Sequence, residues 1–435
     1  MLGNIPSDWQ SKPLKALLSD HYPGDWGEER GPHMVKVLRS TNLTNNGHLD
    51  LSDIAERSLK PKTAELLAPR KNDILLERSG GGPDQPVGRV GFVESEMPGH
   101  AFSNFLHLLR PDPDCINPRF LGWALWRINQ TGRILRLEQQ TTQMRNLNFR
   151  DYLTMPLPVP PPEEQAAIAH VLDAVDIAIE RTREAVERAR VLANSLLHEL
   201  LEGGIDEDGV VRSATDKHTQ FQETDLGMLP KGWRVQRLSE VADVERGKFT
   251  PRPRNDPRFY DGLYPFVQTG LVAHAKGRVL YEYEQTLNDL GKSVSREFPA
   301  GTILVTIAAN IGETAILGVP MCVPDSIVGV EVKKPNNPRF IEMCLRRHRP
   351  RLLALAPRSA QHNINLTTLR PLRLPVPPPE EQQRIAEIYD AADAQVRSYE
   401  VLESQYQQLK TALMHDLLTG KVRVNNLNLD RIAAA

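Results

Sequence analysis

Leu157-Pro158-Val159-Pro160-Pro161-Pro162-Glu163-Glu164-Gln165 returns unchanged as Leu374-Pro375-Val376-Pro377-Pro378-Pro379-Glu380-Glu381-Gln382, at an offset of 217. Identity over such a stretch marks an internal duplication. The similarity runs on at the same offset from Asn146-Leu147-Asn148, against Asn363-Ile364-Asn365, to Leu196-Leu197-His198-Glu199-Leu200-Leu201, against Leu413-Met414-His415-Asp416-Leu417-Leu418. Upstream, Ile5-Pro6-Ser7-Asp8-Trp9 answers Leu229-Pro230-Lys231-Gly232-Trp233, and Asn117-Pro118-Arg119-Phe120 answers Asn337-Pro338-Arg339-Phe340. Between these anchors the halves diverge, so the chain reads as two variable heads on a repeated frame.

The frame is helical. Its prolines end the preceding element and suit a helix start, and Glu163 and Glu164 stand where the helix dipole favours acids. Ile168, Leu172, Val175, Ile179, Thr182, Val186, Ala189, Ala193, Leu196 and Leu200 step by four and three in turn, the spacing of a coiled-coil seam. The second copy offers Ile385, Tyr389, Ala392, Val396, Tyr399, Leu402, Tyr406, Leu409, Leu413 and Leu417, with an early three-residue step at Leu402 and an extra four at the end. A helix of about 40 residues is about 60 Å long. Neither helix buries its stripe alone, so the two are expected to pair, and Gly203-Gly204 and Gly420 to stop them.

A chain of 435 residues exceeds one ordinary core, so at least two domains are expected. With 40% hydrophobic and 25% charged residues the composition is that of a globular protein. The longest apolar run, around Ile303 to Ile311, is far short of the roughly 20 residues of a membrane span. Met1 to Gln10 lacks the form of a signal peptide, which predicts a cytoplasmic protein. Cys115, Cys322 and Cys344 have no partner at metal-ligand spacing and read as reduced thiols. The formal net charge of −2 is unevenly spread: 163–202 and 380–419 each net −5, leaving +8 for the rest. Nucleic-acid binding is therefore open to the heads and disfavoured for the helices.

The heads read as mixed α/β. Ile74-Leu75-Leu76, Val90-Gly91-Phe92-Val93, Thr302-Ile303-Leu304-Val305 and Ile327-Val328-Gly329-Val330 are strand candidates bounded by Gly, Pro and Asp. Phe120 to Arg136 and Phe340 to Leu355 are helix candidates. The expected boundaries are heads over 1–155 and 229–372, helical spacers over 156–204 and 373–421, a polar linker over 205–228 and a tail over 422–435.

Catalytic motifs fail on inspection. Gly291-Lys292-Ser293 lacks the earlier glycine of a phosphate loop, with Thr286 in its place. Pro324-Asp325 followed by Glu331-Val332-Lys333 has the residue types of a metal-dependent nuclease, but the five residues between the acids are tight for two strands and a turn, and the first half has no equivalent. What remains is basic and polar. Arg246, Lys248, Arg252, Arg254 and Arg258 stand against a single Asp256 among prolines, a loop suited to phosphates. Arg39, Ser40, Thr41 and Asn42 in the first half, and Gln268 and Thr269 in the second, follow short apolar runs with groups that read base edges. Arg78, Gln143 and Arg145 in one half, and Gln361 and His362 in the other, complete the candidate DNA-binding set. Leu172, Val175, Ile179, Leu196, Leu200, Tyr389, Val396, Leu409, Leu413 and Leu417 are the candidate helix-pair and partner interface. No metal ligands are assigned.

The doubled Leu-Pro-Val-Pro-Pro-Pro-Glu-Glu-Gln, the closing Leu413-Met414-His415-Asp416-Leu417-Leu418-Thr419-Gly420-Lys421-Val422, the stretch Phe249 to Tyr260 and Val323-Pro324-Asp325-Ser326-Ile327-Val328-Gly329 together resemble the specificity subunit of type I restriction-modification systems. The resemblance covers nearly the whole chain. It implies two target-recognition domains, each reading half of a split site in double-stranded DNA, joined by two long antiparallel coiled-coil helices. It also implies two modification subunits carrying S-adenosylmethionine and two restriction subunits carrying ATP hydrolysis and Mg²⁺, with no cofactor and no catalysis on this chain. One departure is Glu202-Gly203-Gly204 in the first copy where the second has Thr419-Gly420-Lys421. A coiled-coil adaptor with protein-binding heads, or a metal-dependent nuclease, are the alternative readings.

Overall fold

The computed structural model describes residues 5–82, 85–141, 144–212, 221–308, 310–355 and 364–424. The chain divides into two compact units, Met1–Arg183 with Val401–Ala435, and Glu184–Glu400. The divisions fall inside the two long helices, α1 (Pro162–Gly203) and α2 (Pro379–Leu417). Each unit thus holds one head, half of α1 and half of α2.

The repeated residues explain themselves once folded, and they do so the same way in both units. Leu157 and Leu374 lie in strands, Pro156–Val159 and Arg373–Val376, which pair antiparallel with Gln10–Pro13 and Arg234–Arg237. Glu164 accepts the indole N–H of Trp9 at 2.9 Å, as Glu381 does that of Trp233 at 3.0 Å. Gln165 accepts the Asn117 backbone N–H at 2.7 Å and Gln382 that of Asn337 at 2.9 Å. Asn117 and Asn337 in turn cap the helices Pro118–Gln130 and Pro338–Arg347, with proline at the first helical position, where its missing N–H costs nothing. Arg119 then reaches Asp173 at 2.7 Å and Arg339 reaches Asp390 at 2.7 Å, while Phe120 and Phe340 are buried. Asn148 and Asn365 cap two further short helices. The duplicated motif is therefore the joint between head and helix.

Within each unit α1 and α2 run antiparallel. In the first, Arg183 pairs with Glu403 at 3.2 Å and Asp176 with Lys410; in the second, Arg190 pairs with Glu400 at 2.6 Å. On α1 the expected seam is buried or half-buried throughout, Leu172, Val175, Ile179 and Leu200 fully and Leu196 in part. On α2, Tyr389, Val396 and Leu417 are buried and Leu413 packs against the first unit's core. Leu409 departs from expectation: it is 44% exposed, and the next residue, Lys410, takes the inward place. The seam steps from Tyr406 to Lys410 by four, and the lysine stem is accepted there because its ammonium meets the buried Asp176 and the Trp123 ring, 4.5 Å from the centroid.

The heads share one topology although their sequences diverge. The first carries an antiparallel sheet ordered Leu18–Pro23, Leu106–Pro111, Ile74–Glu77, Val90–Phe92, and the second one ordered Ala242–Arg246, Ile327–Val332, Ile303–Thr306, Thr314–Leu317, with Val279–Leu280 added parallel at its edge. A smaller sheet follows in each: Ala55–Ser58, Met34–Leu38, His100–Phe102, and Gln285–Leu287, Tyr260–Phe266, Met321–Val323, Arg296–Phe298. In both, the second and third strands are parallel. The four strand candidates are found, and the two helix candidates each break in two, at Thr131-Gly132 and at His348. Gly204 and Gly420 end the long helices with φ of +59° and +71°, the left-handed stop a glycine takes without strain. Beyond those stops the chain stays pinned. Ile205 and Val424 are buried, Arg212 binds Glu381, and Arg423 binds Glu164 at 2.6 Å and Asp8 at 2.7 Å.

Candidate nucleic-acid interface

Both clusters of candidate base readers stand at one place in the shared topology. The strand Met34–Leu38 delivers Arg39 to Asn42, and its counterpart Tyr260–Phe266 delivers Gln268 and Thr269. Gln268 stands at the N-cap position of the helix Thr269–Ala275 without a side-chain cap bond and donates its amide to Gln285 at 2.8 Å, so Gln268 and Thr269 lie at a helix start. In the first head Thr41 is exposed and Ser40 half-buried, while Arg39 is held by Asp53 at 2.8 Å. Asn42 does not face outward. It is 3% exposed, its carbonyl oxygen accepts the Arg39 N–H, and its amide donates to the Asp50 and Asp53 carbonyls. Its polar groups are consumed in building the loop, which removes it from the candidate base readers.

Arg78 is exposed over the Phe149 ring and has no acidic partner among the described residues. Behind it, burial holds the His107 imidazole down to about pKa 3, so this histidine is neutral through the physiological range. Arg145 is paired with Glu138 at 3.1 Å, on the hairpin Glu138–Thr141/Met144–Leu147 that extends the Ser79–Gly80 strand. Gln143, Gln361 and His362 lie outside the described residues.

In the second head the strand Ala242–Arg246 ends in the basic loop. Lys248 is exposed and has no acidic partner among the described residues. Arg258 is paired with Asp256 at 2.6 Å, and that contact holds the Asp256 carboxyl below its ordinary range. Arg254 and Arg252 face Asp325 at 2.7 and 3.4 Å, and Arg246 donates to the Asp325 backbone carbonyl. Asp325 is thus turned toward arginines, and Lys333 is paired with Asp243 at 2.9 Å, an arrangement unlike that of a two-acid metal site with a free lysine. Under the loop Phe249, Phe259, Tyr260 and Phe266 form an aromatic cluster.

Sequence reasoning missed a third set of residues, where each head grips α1 or α2 near its middle. In the first unit His48 Nε2 donates to the Asp176 carboxylate at 2.8 Å. In the second, Arg278 takes Asp393, the residue 217 positions after Asp176, at 2.9 Å, and Glu400 at 2.9 Å. Burial raises and its arginine partners then lower the Glu400 carboxyl, which ends at about pKa 2. Asp176 and Asp393 were visible in the repeat, but Glu400 answers Arg183 there, and His48 and Arg278 come from the divergent heads, where no spacing rule points to them.

The family model of the type I restriction modification DNA specificity domain matches residues 6–188 and 230–405, and the chain belongs to that family. The chain is 23% identical over 430 residues to the MjaX specificity subunit of Methanocaldococcus jannaschii, itself an inferred type I restriction enzyme subunit, covering 97% of this chain and 96% of that protein. It is 23% identical over 391 residues to the type I restriction enzyme MjaVIII specificity subunit of the same organism, covering 86% and 84%. Among solved structures it resembles the type I restriction-modification S subunit from M. genitalium, with a TM-score of 0.58, 17% identity, and 95% and 96% of the two chains covered. The chain is accordingly a type I specificity subunit, a DNA-recognition component and not an enzyme. Among the described residues no helix is long and apolar enough to cross a membrane.

Proposed function

We propose that each head reads one half of a bipartite, asymmetric target in double-stranded DNA, and that α1 and α2 scaffold two modification subunits and two restriction subunits in the cytoplasm. S-adenosylmethionine would be carried by the modification subunits, and ATP and Mg²⁺ by the restriction subunits. The recognition domains are taken as 1–155 and 229–372, and the spacers as 156–204 and 373–421. One observation carries this reading: two heads of common topology put different side chains at the same position, Arg39 to Thr41 in one and Gln268 with Thr269 in the other. Unneutralised cations lie in the same heads, Arg78 in the first and Lys248 in the second. A shared frame with unlike readers is what a split site with two unlike halves needs. The acidic helices, by contrast, repel phosphates.

The experiment is an exchange of residues 1–150 for the matching region of a relative, with the modified sites mapped by methylation-sensitive sequencing. One half-site should change and the other should stay. Loss of both halves, or of neither, would sink independent reading. Within the second head, Lys248→Ala should weaken binding to all duplexes and flatten the salt dependence. Gln268→Ala should cost about 1–3 kcal/mol at one base pair.

A further inference from the structure

The second head holds one carboxylate that DNA reading, as described so far, leaves unused. Asp325 sits in the turn 323–327, closed by the Ile327 N–H onto the Pro324 carbonyl at 3.1 Å. It gathers Arg254 and Arg252 with its side chain and Arg246 with its backbone carbonyl. The turn is laced to the root of the basic loop: Gly247 N–H donates to the Ile327 carbonyl and Lys248 N–H to the Val323 carbonyl, both at 2.9 Å. Gly247 passes so close that a Cβ there would lie 2.2 Å from the Pro324 oxygen. Turn and loop root therefore form one rigid piece. The carboxylate is 29% exposed, whereas Arg252 and Arg254 are 57% and 52% exposed, so the arginines are held at their inner edge and open outward. Two other acids beside the loop are already taken, Asp256 by Arg258 and Glu245 by Arg296.

We propose that Asp325 is a positioning residue for DNA recognition, holding Arg252 and Arg254 in a fixed fan and masking their charge from random-sequence DNA. The proposal rests on the reading of residues 246–258 as a phosphate-binding loop. Its chemistry is exchange: a guanidinium fork fits carboxylate and phosphate alike, and an exposed ion pair is weak enough to be given up. A phosphate placed in register by the correct base contacts takes over from Asp325, and a phosphate out of register does not. Removing the carboxylate leaves the arginines free for any duplex, which releases more counterions on non-specific binding.

The test uses the full-length chain with two probes, an unselected random duplex pool and the duplexes the chain enriches from it. Asp325→Asn keeps the shape and removes the charge. Affinity for the unselected pool should rise about ten-fold at low salt, and the logarithmic salt slope should steepen by about one. In the enriched sequences, the half-site read by the second head should blur while the other half stays sharp. Asp325→Glu, which keeps the charge, should return the slope to that of the unaltered chain. An unchanged slope and an unchanged second half-site in Asp325→Asn would overturn the proposal. Equal loss of binding in the Asn and Glu variants would also overturn it, since that is the mark of a merely structural turn. Lys248→Ala, run in parallel, separates the two levels. If it leaves pool affinity and slope untouched, the phosphate-loop reading itself has failed, whereas a Lys248 effect with no Asp325 effect sinks only the present inference.

Discussion

The two units answer the same helix acid with different cations. Asp176 is met by His48 from its head and by Lys410 from α2; Asp393 is met by Arg278, with Arg397 at 3.7 Å. The first-turn acids differ in the same way. Glu164 is 4% exposed and takes three donors, Trp9 and both Nε and Nη2 of Arg423, whereas Glu381 is 13% exposed and takes Trp233, Arg212 and the Ile205 N–H. The acids belong to the duplicated frame, whereas the cations that meet them stand at unmatched positions of the heads, the segments after the helices and α2. A titratable grip in one unit and a permanently charged one in the other follow from those unlike partners.

The largest test of this contrast removes the tail arginines. Arg423→Ala leaves a buried Glu164 with Trp9 alone and should give the largest loss of stability in urea unfolding, because a carboxylate with few remaining donors is costly to keep out of water. Arg212→Ala should cost about half as much, because Glu381 keeps two other donors and more water. Equal losses would mean the difference in burial has no energetic content.

Next, Lys410→Met keeps the apolar stem and deletes the ammonium, which should cost about 2 kcal/mol through Asp176. The loss should be larger at pH 8 than at pH 6, where a protonated His48 still compensates. Arg397→Met on the exposed face of the second unit should cost under about 0.5 kcal/mol. A pH-independent Lys410 effect would argue against the shared carboxylate.

The pH dependence itself is smaller. The hydrogen bond to Asp176 raises the His48 pKa against the opposing effect of burial. A folded pKa above the unfolded one means stability that is complete below about pH 6.5 and is lost as pH rises through the raised value. About 1 kcal/mol should fade from the first unit between pH 6.5 and 8.5, and His48→Arg should flatten that decline. Glu400 behaves oppositely: its lowered pKa gives stability present above about pH 4.5 and lost as pH falls toward 2. Differential unfolding of the two units across pH 3–8.5 reads both. The smallest effect is Leu409→Gln, expected within about 0.5 kcal/mol because the side chain is exposed; a loss above 2 kcal/mol would restore Leu409 to the seam.

The duplication, the helices and their α1 seam were legible because they rest on local rules: proline and acid at the helix start, a four-three step, glycine at the stop. The slip at Leu409 has the same origin. A pattern that counts apolar residues cannot know that a lysine will be accepted inward when a carboxylate and an indole ring wait for it. The candidate site was legible only as chemistry. Arg78 and Lys248 were found as cations and Gln268 as an amide, but nothing in their neighbours' identity told that Asn42 would be consumed by its own loop.

By itself, then, the sequence determined that the chain is two copies of one frame, that the frame is acidic and helical, and that basic and polar groups lie in the heads, since composition and periodicity are properties of neighbours along the chain. The tertiary structure decided which cation meets each acid, that both heads share a sheet topology, and that Asp325 faces arginines. Those pairings join residues tens to hundreds of positions apart, where burial and distance, which no local spacing encodes, choose the partner.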